Sequence, residues 1–362
     1  MNLRILFVDD EKIGEELAEL FNGTKIGDYT LEAFSENSFE SGLEKIKEEV
    51  FDLVVLDLCK GKASDEAKQE GLSILKDIQE RTFIPIIFHT AVSHKIEDLK
   101  SHVVGVTDKK DGVENLKNEI ERLINSNIVS LKDKVHILIE EEFKKYFWDT
   151  IHNERDKFKI DEEEKSLAYL ILRRLSASLS KDNIKELVGD ERQNHDVLPM
   201  EFYIYPVEKV KEFEAGDLIN FNGKVYILLT PDCDYVERFK KEVSQGRKAE
   251  RVLLAEVKTI ESNQIYLDYI GNKKPENLEK LKRLLSNNYS ERYFYLPKTP
   301  FIGNSLIDFQ EKIMVNYEEL EKSFRFTKLD TPFAQSMITN FIRYYNRIGF
   351  PDIDKEYVIS QL

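Results

Sequence analysis

The sequence predicts an α/β domain, a helical connector and a mixed β-barrel-like plus α domain, and three observations lead there. The chain has 362 residues, more than one core usually organises at roughly 100–200 residues per domain. Its hydrophobic pattern changes character along the way. Strand-like runs alternate with amphipathic stretches up to about residue 125, helical spacing prevails after residue 128, and short strands with turn signals follow from about Glu201. Charge is uneven too: residues 1–130 carry 16 basic and 27 acidic side chains, −11 of the total −15, which leaves −4 for the remainder. The expected domains are therefore 1–126, 127–195 and 196–362.

Composition narrows the function classes. A hydrophobic content of 41% suffices for packed cores, and charged residues at 33% are mixed in sign, so wholesale disorder is excluded. The net charge argues against a general polyanion binder, which would attach by counterion release, so nucleic acid is not the expected partner unless a local patch of the last domain supplies it. The longest apolar runs are short, such as Val54 to Leu56 and Ile84 to Phe88, and no membrane span or cleavage site is expected. Two cysteines, Cys59 and Cys233, are too few and too far apart for a disulfide framework, which fits a reducing cytoplasm.

In the first domain, strands are expected at Leu3 to Val8, Tyr29 to Phe34, Asp52 to Asp57, Pro85 to Phe88 and His102 to Val106. Between them Leu17, Leu20 and Phe21, then Leu43 and Ile46, then Leu72, Leu75 and Ile78 recur at helical spacing. Five βα units in about 125 residues make a doubly wound, flavodoxin-like (βα)5 sheet, with chemistry at the carboxyl ends of its strands. Helices are expected over Ile128 to about Ile151 and Asp161 to Leu179. Ile124, Ile128, Leu131, Val135 and Leu138 follow a 4-3-4-3 spacing that suits either a seam between two copies of the chain or a helix packed on its own chain. The last domain is expected to hold strands at Phe202 to Val207, Asp217 to Phe221, Val225 to Thr230, Arg251 to Thr259, Gln264 to Ile270 and Arg292 to Leu296. Asn222-Gly223 marks a hairpin. Helices near Glu276 to Leu285, Leu306 to Phe324 and Phe333 to Arg347 complete a small barrel or sandwich.

At the carboxyl edge of the first sheet stand Asp9-Asp10-Glu11, Asp57, Thr90 and Lys109. Several carboxylates at one edge repel one another unless a hard cation is present, and Mg²⁺ suits an oxygen-only donor set. A lysine and a threonine nearby supply a positive charge and a hydroxyl for an oxyanion. The set reads as an aspartyl-phosphate site: Asp57 attacks phosphorus, Asp9 and Asp10 hold the metal, and Lys109 with Thr90 binds phosphoryl oxygens.

The runs Ile5-Leu6-Phe7-Val8-Asp9-Asp10-Glu11, Val54-Val55-Leu56-Asp57-Leu58, Phe88-His89-Thr90-Ala91 and Thr107-Asp108-Lys109, in this order over roughly the first 125 residues, resemble the receiver domain of two-component response regulators. The resemblance implies phosphorylation of Asp57 by a sensor kinase or kinase-like ATPase partner, Mg²⁺ held by Asp9, Asp10, Asp57 and the backbone carbonyl of Cys59, and a Thr90-coupled rearrangement around the fourth strand, fourth helix and fifth strand. Three features depart from the family. Leu58 to Glu70 is longer than the usual loop and lacks its proline, Lys110 follows Lys109 where proline is common, and Val106 replaces an aromatic switch residue. Lys110 is therefore the alternative lysine, and a long loop with a lysine lacking proline is similar to receivers of bacterial conflict and phage-defence operons.

In the remainder, Asp232-Cys233-Asp234 at a strand end reads as a metal or nucleophile site or as turn chemistry. Arg343-Tyr344-Tyr345-Asn346-Arg347 reads as a base-stacking patch or an internal anchor. Trp148 with Phe143, Tyr146 and Phe147 reads as helix packing, and His136, His152 and His195 lack metal-ligand spacing. The expected output acts through protein contacts. The alternative is a phosphorylation-gated hydrolase or nucleic-acid enzyme.

Overall fold

The computed structural model describes residues 2–58, 75–80, 83–126, 128–153, 164–179, 181–189, 196–208, 212–240, 243–248, 250–346 and 352–362. Two compact units divide the chain, Met1–Gln193 and Asn194–Leu362. Among the described residues no helix is long and apolar enough to cross a membrane.

In the first unit, strands β1 (Asn2–Val8), β3 (Tyr29–Glu36), β4 (Leu53–Leu56), β5 (Ile86–Thr90) and β6 (Val104–Asp108) are parallel, in the order β3-β1-β4-β5-β6. A two-residue strand, β2 (Lys25–Ile26), adds antiparallel at the β3 edge. The strands bury both faces, as the uninterrupted apolar run of β4 requires. One face, with Ile5, Phe7, Leu53, Val55 and Ile87, is covered by α1 (Ile13–Phe21) and α4 (Val113–Asn125). The other, with Leu6, Val8, Val54, Leu56, Phe88 and Val106, is covered by α2 (Phe39–Glu48), whose N-cap Ser38 accepts from the Ser41 amide, and by helical residues 75–80 (α3). This is the doubly wound, flavodoxin-like order.

One expected βα unit lacks its helix. Between β5 and β6 the chain makes only two 3₁₀ turns, Ser93–Lys95 and Glu97–Leu99, which tuck Ile96 and Val92 under the sheet. Thirteen residues separate Thr90 from Val104, too few for a helix of ordinary length and two connecting loops.

A long helix, α5 (Ile128–Lys145), follows α4 and continues into a π-helical turn, Tyr146–His152; α6 (Glu164–Ser178) and α7 (Lys181–Leu187) come after it. The 4-3-4-3 residues do not share one free face. Ile124 lies in the core of the sheet domain, whereas Leu131 is exposed.

The second unit is built on a seven-stranded sheet. Its strands are β7 (Tyr203–Ile204), β8 (Asp217–Phe221), β9 (Lys224–Leu228), β12 (Arg251–Thr259), β13 (Tyr293–Leu296), β14 (Ser305–Asn316) and β15 (Phe324–Leu329), in the order β13-β14-β12-β9-β8-β15-β7. A separate two-stranded ribbon pairs β10 (Phe239–Lys240) with β11 (Val243–Ser244). The expected barrel is corrected: the terminal strands β13 and β7 do not pair, so the sheet is open. Alternate residues sort into two cores. Leu218, Ile227, Ala255 and Phe309 face α12 (Phe333–Tyr345), and Ile219, Leu228, Leu254 and Val315 face α8 (Asp232–Tyr235) and α11 (Tyr317–Leu320). Asn222 and Gly223 join β8 to β9 with φ of 51° and 78°, the left-handed pair a two-residue hairpin needs.

Two expectations exchange places. Gln264 to Ile270, expected as a strand, is helix α9 (Gln264–Gly271), started by the Asn263 side chain accepting the Ile265 amide. It precedes α10 (Pro275–Leu285). Leu306 to Phe324, expected as a helix, opens with the twelve-residue β14, which pairs with β12 on one side and β13 on the other. Tertiary pairing overrides the local helical spacing there.

Candidate metal and phosphoryl site

The carboxyl edge of the first sheet collects the expected acids. Val8 pairs with Leu56, so Asp9 and Asp57, the next residues on adjacent strands, emerge together. The Asp57 amide donates to the Val8 carbonyl (3.0 Å) and the Asp9 amide to the Glu36 carbonyl (3.1 Å), which fixes both backbones. Each acid is only 6% exposed, whereas Asp10 is open to solvent. One carboxylate oxygen from each of Asp9, Asp10 and Asp57 falls within 4.8 Å of the other two. An all-oxygen, three-carboxylate set of this size can hold a divalent cation, and the hard ions Mg²⁺ and Ca²⁺ fit it best.

Lys109 sits among these acids. Its Nζ lies 2.6 Å from Asp57 Oδ2 and 2.8 Å from Asp9 Oδ2. Burial alone would lower the proton affinity of this ammonium, but the hydrogen bonds and charges of Asp57 and Asp9 raise it overall. Lys110, the alternative lysine, is exposed, and its amide donates to Asp108 Oδ1 (2.9 Å). Thr90 is fully buried at the end of β5, with the Val92 amide 3.5 Å from its hydroxyl. Cys59 and the rest of the long loop lie outside the described residues. One ammonium against three carboxylates leaves the cluster negative, the electrostatic condition for a divalent cation.

Sequence reasoning missed three contributors. A Cβ on Gly14 would come within 2.9 Å of Asp9 Cβ, so glycine is what lets α1 start beneath the acid. The Ser93 hydroxyl donates to Asp108 Oδ2 (2.6 Å), and this bond, together with the Lys110 amide, lowers the proton affinity of Asp108. His89 and Thr107 hydrogen-bond across β5 and β6 (2.9 Å). His89, Thr107 and Asp108 fall inside runs already quoted, but the sequence assigns them no role, and Gly14 and Ser93 lie outside those runs.

The remaining candidates do not assemble into a second centre. Asp232 Oδ1 accepts the Ala215 amide (2.6 Å), Asp234 lies 3.9 Å from Lys248, and Cys233 is exposed beside Asp234. Tyr344 and Tyr345 are the last residues of α12, where Tyr344 reaches Phe309 of the sheet and Tyr345 packs on Phe341. The two segments therefore lie on opposite faces of the second sheet. Arg347 and His195 lie outside the described residues, and Trp148 is 61% exposed rather than packed. An apolar groove of about 640 Å³ opens at the amino edge of the first sheet, lined by Phe51, Phe83, Ile84, Leu131 and Val135, away from the acids.

No protein-family model and no curated protein matches this sequence. Among solved structures it is similar to the Salmonella typhimurium RcsB response regulator, reported for conformational dynamism in DNA interaction, at 16% identity, with 53% of this chain and 93% of that chain covered and a TM-score of 0.28. At that level the likeness adds nothing to the topology and the site just described.

Proposed function

We propose that the chain is a response regulator whose first unit accepts a phosphoryl group on Asp57 and thereby switches the second. The observation that carries this reading is the Lys109 ammonium bridging Asp9 and Asp57 at the carboxyl edge of the sheet. That geometry couples a carboxylate nucleophile to a cation able to follow the incoming charge.

In the reaction an Asp57 oxygen attacks phosphorus, the bond from phosphorus to the donor breaks, and its electron pair leaves with the donor. Lys109 releases Asp57 and takes up a phosphoryl oxygen, while the Thr90 hydroxyl donates to another. Asp9, Asp10 and Asp57 would hold Mg²⁺, which would supply positive charge against the repulsion between the carboxylate and the phosphoryl dianion. Asp9 stays in place because its Oδ1 accepts the Glu11 amide (2.9 Å).

The phosphodonor is a sensor kinase or kinase-like ATPase partner, and the second unit is an output module that works through protein contacts. The reading of the second unit as an enzyme has less support, because its two candidate segments sit on opposite faces of one sheet. Incubation with acetyl phosphate and Mg²⁺ should give acid-stable, base-labile label on the full chain and none on Asp57→Ala. Equal labelling of the variant overturns the proposal.

A further inference from the structure

The turn that carries Lys109 is tied to the stretch that follows Thr90. Thr90 and Asp108 are paired residues at the ends of β5 and β6, and residues level with one another on adjacent strands point to the same face. Ser93, just beyond Thr90, donates its hydroxyl to Asp108 Oδ2 at 2.6 Å. The other oxygen of that carboxylate accepts the Lys110 amide at 2.9 Å, the bond that caps the single turn Lys109–Asp111. One carboxylate therefore bridges two turns, the one that begins at Lys109 and the one that begins at Ser93.

A hydrogen bond to a carboxylate is roughly twice as strong as one between neutral groups, so the Ser93 contact is a firm tie for a stretch made of two short turns. It also lies in the path of any movement of Lys109. The Lys109 Nζ is 2.6 Å from Asp57 Oδ2 and 2.8 Å from Asp9 Oδ2, which leaves no room for a phosphorus and its oxygens on that side of Asp57. The ammonium has to withdraw when a phosphoryl group arrives. Its side chain is only 14% exposed, so little of the displacement is taken up by swinging through solvent, and the rest passes to the turn that holds it. Asp108, which caps that turn, then moves relative to Ser93.

We propose that the Ser93–Asp108 bond is a latch that links occupation of Asp57 to the surface formed by residues 92–100, with Asp108 as the positioning residue of Lys109. The inference rests on Asp57 being a phosphoryl acceptor. While Asp57 is unmodified, Lys109 stays on the two acids, its turn stays capped and Ser93 stays closed on Asp108. A phosphoryl group on Asp57 draws the ammonium outward, the capped turn travels with it, and the Ser93 hydroxyl lets go. The route uses no aromatic side chain, and Val106 supplies none. Linkage makes the relation reciprocal: whatever opens the latch strengthens occupation of Asp57 by the same factor.

The test uses the full chain with beryllium fluoride and Mg²⁺, a stable stand-in for a phosphoryl group on a carboxylate, and reads amide hydrogen exchange over residues 92–100 by mass spectrometry. Saturating beryllium fluoride should speed exchange there in the unaltered chain about ten- to a hundredfold, the range for loss of a hydrogen bond to a charged group. Ser93→Ala should show the faster exchange without the ligand and gain less than about threefold more when it is added, because the two changes share one equilibrium. It should also bind beryllium fluoride more tightly by a similar factor in a fluorine NMR titration. Ser93→Thr, which keeps the hydroxyl, should behave as the unaltered chain does. Exchange that saturating beryllium fluoride leaves unchanged in the unaltered chain overturns the inference whether or not the variants fold, as does equal speeding in the unaltered chain and in Ser93→Ala. Acetyl phosphate labelling separates the two readings. No label on Asp57 overturns the acceptor reading and this one with it, whereas label on Asp57 with unchanged exchange overturns the latch alone.

Discussion

Lys109→Met tests the electrostatics of the site. The change keeps an apolar stem of similar length but removes an ammonium whose nitrogen lies 2.6 Å from Asp57 and 2.8 Å from Asp9, both 6% exposed. Two unit charges at 4 Å interact by about 4 kcal/mol at an effective dielectric constant near 20. Losing two such attractions leaves two adjacent carboxylates repelling. Removing one partner of a buried pair typically costs about 3–5 kcal/mol, and we expect a loss of that size at pH 7.5 without divalent ions. The proton affinity of Lys109 is raised, so its stabilisation is complete at neutral pH and disappears only as pH climbs through that raised value, above the ordinary figure of about 10.4. Urea unfolding read by Trp148, the single tryptophan, reports on the first unit. In an Asp57→Asn background the cost of Lys109→Met should fall by more than about 1 kcal/mol, because one of the two stranded charges is gone. A cost below about 1 kcal/mol, or the same cost in both backgrounds, would refute the reasoning.

Metal addition and acid titration give two further checks. Mg²⁺ at a hundred times its dissociation constant should stabilise the first unit by about 2.7 kcal/mol, a rise in Tm of roughly 5–10 °C for a unit of this size, and Asp9→Asn should remove most of it in calorimetry. In the second unit, burial raises the proton affinity of Asp217 although the Glu214 amide and Arg325 oppose it, and its Oδ1 is sealed without a partner. Its contribution to stability is therefore largest below the ordinary carboxylate value of about 3.9 and is lost as pH rises through the raised value. Asp217→Asn should flatten that part of the pH–stability curve, and an unchanged curve would place the pH dependence elsewhere.

What was legible in the sequence follows from how local each cause is. The parallel sheet could be read because its central strands are apolar runs closed by polar residues, as in Leu53–Leu56 before Asp57. Asp9, Asp57 and Lys109 could be placed at one edge because parallel strands point the same way. Closure of the second sheet could not be read, since whether β13 meets β7 depends on the twist and stagger of all seven strands. Leu306 to Asn316 shows apolar residues at helical spacing, and only its partners β12 and β13 decide that it is extended. The contact between His89 and Thr107 could not be read for the same reason: it depends on the register of β5 against β6, and register is a property of pairs of strands.

The two single turns between β5 and β6 have a consequence for the cost of motion. A full helix would tie this stretch down by consecutive i→i+4 bonds and a broad apolar face. Here the Lys95, Ile96, Leu99 and Lys100 amides each reach back only three residues, the Ser93 hydroxyl ties the stretch to Asp108 of β6 (2.6 Å), and Val92 and Ile96 are the fully covered apolar anchors. Few buried contacts and short-range bonds place a segment at the low end of local unfolding free energies. The residues directly after Thr90 can therefore open while the strands on either side stay paired, so a small energetic input at the edge of the sheet is enough to reshape this surface.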